Sequence, residues 1–215
     1  MNTDGRVNRL GYALAILLAV NLLNYIDRQV LYAVFPLIKA DLRLSDTALG
    51  VLGSAFMLCY MVCAPLLAWV GNRVSHVRLA VGGLVAWSLA TVLAGLARGY
   101  GMLLTARTAV GIGEASFGIV APGLLAGYAA RECRGRVLAY FFLAIPVGSA
   151  LGYLLGGLIG QHLGWHAAFL MVGIPGLALA LPLAWLRTPP RDGGETGAIP
   201  GQERALSREE NSGVV

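Results

Sequence analysis

The chain has 215 residues, of which 57% are hydrophobic and only 13% charged, with a formal net charge of +5. Soluble domains carry about 25% charged residues, so this chain cannot clothe a water-facing surface, and lipid must be the solvent for most of it. That balance excludes a disordered protein, a disulfide-stapled secreted domain and a nucleic-acid binder.

Six stretches are long and apolar enough to cross about 30 Å of hydrocarbon as helices. After a short polar segment, residues 1–9, the first runs over 10–38 and contains Asp27 and Arg28. It lacks a small-residue cleavage signature and so reads as a span, not a removable signal. The second covers 47–70 and is entered through Ser45 and Asp46, good N-cap residue types. Its Cys59 and Cys63, like Cys133 further on, lack the spacing of a disulfide framework or a zinc site and read as small packing residues. The remaining spans cover 77–97, 102–129, 137–163 and 167–186. Short turns between them make neighbouring helices antiparallel. The expected fold is therefore an all-α membrane protein of six transmembrane helices over 10–187. Residues 188–215, with Pro189, Pro190, several glycines and mixed charge, read as a disordered tail.

Loop charge orients the spans. Arg6, Arg9, Arg73, Arg78, Arg131, Arg134, Arg136, Arg187 and Arg191 fall on one side, against Lys39, Arg43 and Arg98 on the other. This bias places both termini in the cytoplasm. It also explains the net positive charge without nucleic acid.

Four ionisable residues fall inside spans: Asp27, Arg28, Arg107 and Glu114. Each costs about 2.5–3.5 kcal/mol at mid-membrane, so each is a functional candidate. Counting the rise per residue sets Asp27 roughly 16 Å below the outer surface, with Arg107 and Glu114 at roughly 8 and 18 Å. The aspartate is thus level with the stretch between the other two. Arg107, Gly111 and Glu114 share one helical face, and Gly111 leaves room for another group to approach between the charges. The expectation is a proton- or ion-responsive cluster facing a hydrated cavity, against the plainer reading of an ion-pair set that only fixes packing. Three partners stay open for Arg28: the membrane surface, a neighbouring carboxylate, or an anionic substrate head group.

In the fifth span, Gly148, Gly152 and Gly156 follow Pro146 at four-residue spacing, which suits either close helix packing or a moving contact surface. His162 and His166 lack a third ligand, so no metal is expected. Trp165 and Tyr100 read as parts of an interfacial aromatic belt. The G-x-G at Gly111 and Gly113 follows no strand and is not a dinucleotide site. No nucleophile–base pair stands out, and neither enzymatic activity nor a cofactor is expected.

Three motifs in order resemble the major facilitator superfamily, most closely its Spinster-like branch. Asn21-Leu-Leu-Asn-Tyr-Ile-Asp27-Arg28 is similar to that branch's first-helix signature, and Arg107-x-x-x-Gly111-Ile-Gly113-Glu114-Ala115-Ser116 to its fourth-helix signature. Ala144-Ile-Pro146-Val-Gly148-Ser149-Ala-Leu-Gly152-Tyr153 is similar to its fifth-helix motif. The resemblance implies one six-helix bundle with a 3+3 inverted repeat, the first of the two bundles in a complete member. It implies a proton-coupled secondary transporter in a plasma (bacterial inner) membrane, moving a lipid-like or amphipathic substrate. An organic-anion symporter and a truncated, non-transporting protein are the alternatives. Asp27, Arg28, Arg107 and Glu114, with Asn24 and Tyr25, would form the coupling and substrate cavity. The faces of the second and fifth helices, which pack on the second bundle in the family, would here face lipid, or pair with a homodimer partner or a separate second half. The loop Ala68-Trp-Val-Gly71-Asn72-Arg73-Val-Ser75-His76-Val77, followed by Arg78, departs from the superfamily's acidic pattern at Asn72. A charge-assisted gate contact is thereby lost, and cytoplasmic closure should be weaker or differently made.

Overall fold

The structure is a computed structural model and describes residues 3–188. The tail over 189–215, expected to be disordered, lies outside the described residues. Among the described residues there are eight α-helices, and all but the short second one build six candidate spans. They are α1 (Thr3–Ala33), α2 (Phe35–Leu42), α3 (Asp46–Gly71), α4 (His76–Gly95), α5 (Tyr100–Tyr128), α6 (Arg134–Phe142), α7 (Ala144–Leu163) and α8 (Trp165–Ala184), with a 3₁₀ turn at Arg131–Cys133.

Two of the expected continuous spans are broken, and proline explains both. Pro36 has no N–H to donate back to the carbonyl of Tyr32, so the first span ends at Ala33 and restarts as α2, with Pro36 in its first turn. Pro146 likewise leaves the Phe142 carbonyl without a helical donor, and the fifth span splits at Leu143 into α6 and α7. The Asn21 side chain reaches across from α1 and donates to the Phe141 carbonyl at 3.0 Å, satisfying a buried acceptor beside that break. The entry to α3 is as expected: Ser45 Oγ accepts from the Ala48 N–H at 3.2 Å.

Packing follows a twofold plan. The most extensive contacts join α4 to α5, α1 to α7, α4 to α8, and α3 to α5. Exchanging the first three spans with the last three turns the α1–α7 contact into the α5–α3 contact and maps α4–α8 onto itself. Two inverted triplets produce such pairs, although α4–α5 is far more extensive than its counterpart α8–α1.

The α1–α7 contact is close because α7 presents a stripe of buried glycines, Gly148, Gly152, Gly156 and Gly160. A Cβ at Gly152 would lie 2.7 Å from the Ile26 carbonyl, and one at Gly148 would lie 2.9 Å from that of Leu22. Of the two readings of the stripe, close packing is the one this geometry displays. Gly113 of α5 and Gly83 of α4 allow a similar approach, each Cβ position falling within 2.7 Å of the other's carbonyl.

The aromatic-belt expectation is corrected at the ends of the helices. Trp165 is only 3% exposed. Its indole N–H donates to Asp41 Oδ2 at 2.9 Å, because a buried indole needs a partner. Tyr100 is partly buried and donates to the Ala48 carbonyl at 3.2 Å. His166 stacks on Trp165 and lies 3.1 Å from the Ala97 carbonyl, whereas His162 is on α7, across the turn at Gly164, whose φ of 85° favours glycine. These side chains tie helix ends together. Trp165→Phe should therefore lower stability by about 1.5 kcal/mol, the scale of one hydrogen bond to a charged group, seen as an earlier melting transition in detergent. Unchanged melting would mean that the Asp41 contact holds nothing.

Candidate functional site

All four membrane-embedded charges meet at one place. Asp27 and Arg28 are consecutive on α1 and so project about 100° apart around the helix. Asp27 turns to the junction of α4 and α5, where Arg107 Nη1 donates to its Oδ1 at 2.8 Å. Arg28 turns to the side of α3 and α5, where its Nε donates to Glu114 Oε2 at 2.6 Å. Of the three partners left open for Arg28, the structure selects the neighbouring carboxylate. Arg107 and Glu114 are seven residues apart, about 10 Å along α5, and the length of the two arginine side chains spans that offset.

The pairs differ in surroundings. Asp27 and Arg107 side chains are 0% and 1% exposed, whereas the Arg28 side chain is 19% exposed and its partner Glu114 is 0% exposed. Arg28 is thus the most exposed member of the cluster. Its guanidinium carbon lies 5.1 Å from each of the ring centroids of Tyr25, Phe56 and Tyr60. Arg107 lies 5.8 Å from the Phe56 ring and 5.7 Å from that of Phe169. Away from water, such ring faces replace part of the lost hydration of a guanidinium.

Gly111 does admit a neighbour, as its position on the shared face suggested. The neighbour is the α3 backbone: a Cβ at Gly111 would stand 2.8 Å from the Phe56 carbonyl. That approach brings Phe56 within cation–π range of both guanidiniums.

Sequence reasoning missed Thr91, whose hydroxyl donates to Asp27 Oδ2 at 2.6 Å from α4. It missed the rings of Phe56, Tyr60 and Phe169 as well. A lone threonine or phenylalanine is ordinary in an apolar helix, and nothing in one sequence separates it from core. Asn24 and Tyr25, both expected here, are near the cluster in different ways. Tyr25 faces Arg28, while Asn24 is buried and its Nδ2 has no partner among the described residues. Ser88 Oγ, Arg107 Nε and Glu114 Oε1 are also buried without partners among the described residues.

The residues expected at a cytoplasmic gate stand apart from this cluster. Asn72 caps the end of α3, its backbone N–H directed to the Trp69 and Val70 carbonyls. The Arg73 guanidinium covers the Trp69 ring at 3.7 Å. Neither Arg73 nor Arg78 makes an ion pair among the described residues.

Comparison with known proteins decides the family. A model of the Major Facilitator Superfamily matches residues 17–210. The chain belongs to that superfamily. Protein spinster homolog 1 of Homo sapiens is 38% identical over 181 residues, covering 82% of this chain and 34% of that protein. Protein spinster of Drosophila melanogaster is 33% identical, with 84% and 30% covered. The chain thus spans about a third of the length of these curated relatives. A crystal structure of a bacterial homolog to the human lysosomal transporter Spinster, inward-facing and unoccupied, superposes with a TM-score of 0.79 at 28% identity. That match covers 95% of this chain and 49% of the other. The occupied, inward-facing form gives a TM-score of 0.78 at 30% identity, covering 85% and 45%. The protein is thus an integral, multi-pass, Spinster-like member of the superfamily, and its six helices correspond in extent to about half of the solved chain.

Proposed function

We propose that this bundle is half of a proton-coupled secondary transporter for a lipid-like or amphipathic substrate. The observation that carries the reading is the set of two acid–guanidinium pairs buried across α1, α4 and α5, one of them reaching the surface of the bundle through Arg28. With two acids and two guanidiniums the set is neutral. Protonating one carboxylate removes one negative charge and leaves a guanidinium uncompensated, so proton uptake creates a cationic site that an anionic head group can fill. The rings of Tyr25, Phe56 and Tyr60 around Arg28 suit a substrate with apolar surface beside that head group.

The outward faces of α3 and α7 support the completion of the transporter by another bundle. Met57, Met61, Leu66, Tyr153, Leu154 and Leu158 are all exposed there. A second copy or a separate half would cover them and enclose the Arg28 side of the cluster between two bundles. The arginine-rich turns favour cytoplasmic termini, and we propose a plasma (bacterial inner) membrane as the address.

The test is uptake into vesicles containing the purified chain, with an imposed pH step and either a lysolipid or a short organic anion as cargo. Lysolipid accumulation that follows the pH step, and loses its pH dependence in Asp27→Asn and Glu114→Gln, is the expected result. Accumulation of the organic anion alone would assign the site to anion symport. Unchanged pH dependence in both variants removes proton coupling. Strict monomers by mass measurement in mild detergent, together with no uptake of either cargo, remove transport by this chain.

A further inference from the structure

The end of the bundle opposite the arginine-rich turns holds a second group of polar side chains, well away from the charge cluster. Asp41 follows Asp27 by fourteen residues along α1 and α2, roughly 20 Å of helical rise. A cleft of about 510 Å³ opens there between the last turn of α2 and the start of α8. It is lined by Leu37, Ala40, Asp41, Gly164, Trp165 and His166. Sites for small organic molecules measure about 300–1,000 Å³, so the cleft is large enough to be one.

Asp41 stands in it as a prepared acceptor. The buried Trp165 indole N–H donates to Oδ2 at 2.9 Å and fixes the carboxylate, while Oδ1 has no partner among the described residues. The indole is itself held. His166 stacks on it with ring centroids 3.6 Å apart and lies 3.1 Å from the Ala97 carbonyl, and Phe169 meets it edge-on at 6.0 Å. The charge of Asp41 is also unbalanced. Of the cations expected at this end, Lys39 pairs with Asp46, and neither Arg43 nor Arg98 makes an ion pair among the described residues. Asp41 is thus the acid at this end without a cationic partner among the described residues.

The lining selects the class of ligand. One available carboxylate oxygen is too few for a magnesium or calcium ion, which takes about six or more oxygen ligands. An ammonium N–H is satisfied by a single such acceptor. Carbon attached to the nitrogen would meet Leu37, Ala40 and the aromatic wall. Leu163, which precedes Gly164, is 69% exposed and extends the apolar surface at the same turn.

We propose that this cleft binds an organic ammonium group, with Asp41 as its counter-ion and Trp165 as the residue that positions Asp41. The inference requires no transport by this chain. The headgroup of an aminophospholipid and a free soluble amine present the same chemistry, and a helix end at the membrane boundary is open to both.

Two variants test it. Asp41→Asn keeps an oxygen for the indole N–H and removes the charge, so it separates binding from folding. Ala40→Phe fills the cleft from an exposed position of α2 and leaves Asp41 in place. Purified protein in detergent is titrated with ethanolamine hydrochloride while the indole N–H resonance of Trp165 is followed. The same protein is offered phosphatidylethanolamine or phosphatidylglycerol and weighed intact with its bound lipid. The expected result is a saturable shift of the Trp165 resonance, or retention of phosphatidylethanolamine over phosphatidylglycerol. Either response should weaken about tenfold or more in Asp41→Asn, the scale of one hydrogen bond to a charged group, and vanish in Ala40→Phe. A response to lipid alone assigns the cleft to a headgroup, and a response to ethanolamine alone assigns it to a soluble amine; both uphold the proposal. It is overturned if ethanolamine leaves the resonance unmoved and the two lipids are retained alike or not at all, or if either variant binds as the wild type does.

Discussion

Arg107→Leu is expected to destabilise the bundle by about 3–5 kcal/mol, the scale for removing one partner of a buried ion pair. The reason lies in what remains. Asp27 would keep a single hydrogen-bond donor, Thr91, in a site with no exposure, and its charge would have lost its paired cation. Leucine fills part of the guanidinium's volume between Phe56 and Phe169, so the loss reports mainly the stranded charge and little of the cavity. The double variant Asp27→Leu, Arg107→Leu should recover most of that stability, because a matched apolar pair needs no compensation. Lys39→Ala is the control: its partner Asp46 is exposed, and such pairs contribute less than about 1 kcal/mol. Denaturant titration in mild detergent, followed by helicity, ranks the four proteins. A single variant as stable as wild type, or a double as weak as the single, would show that the pair is not what holds α1 to α5 at this depth.

The same site shows where a sequence is legible in a membrane and where it is not. Charge is conspicuous against hydrocarbon, so Asp27, Arg28, Arg107 and Glu114 stand out from composition alone, and helical rise places them at compatible depths. Rise and periodicity do not say which acid meets which base. Adjacent residues point apart by a fraction of a turn, and the reach of an arginine side chain decides the pairing. Span existence was likewise readable, whereas the breaks at Val34 and Leu143 depend on Pro36 and Pro146, whose effect hydropathy does not register. Trp165 was misassigned because an aromatic near a span end has two solutions, a wet interface or a buried partner, and only the position of Asp41 chooses between them. Thr91 stayed silent for a related reason. Its hydroxyl can bond back to its own helix, which makes threonine inexpensive anywhere in a span.

The glycine stripe on α7 carries the second large effect. Gly152→Leu should separate α1 from α7, because the new Cβ would meet the Ile26 carbonyl and the Gln29 Cβ, both at 2.7 Å. The obstacle includes backbone, which cannot swing aside as a side chain can, so the helix itself must move. Overpacking of this kind costs about 1–3 kcal/mol where neighbours can shift, and a value at or above the top of that range is expected here. The shift would also displace Ile26 and the adjacent Asp27, which stands on the same turn of α1. The damage should therefore appear both as lost stability and as exposure of the charge cluster to hydrogen exchange. Gly157→Leu supplies the comparison within the same helix, since a Cβ there meets nothing within 4 Å. It adds the same side chain to the same span, where this bundle leaves open space. If Gly157→Leu proves as harmful as Gly152→Leu, the effect belongs to leucine in this helix and not to the contact with α1. If Gly152→Leu is harmless, the two helices are free to slide, and the stripe is a bearing surface after all.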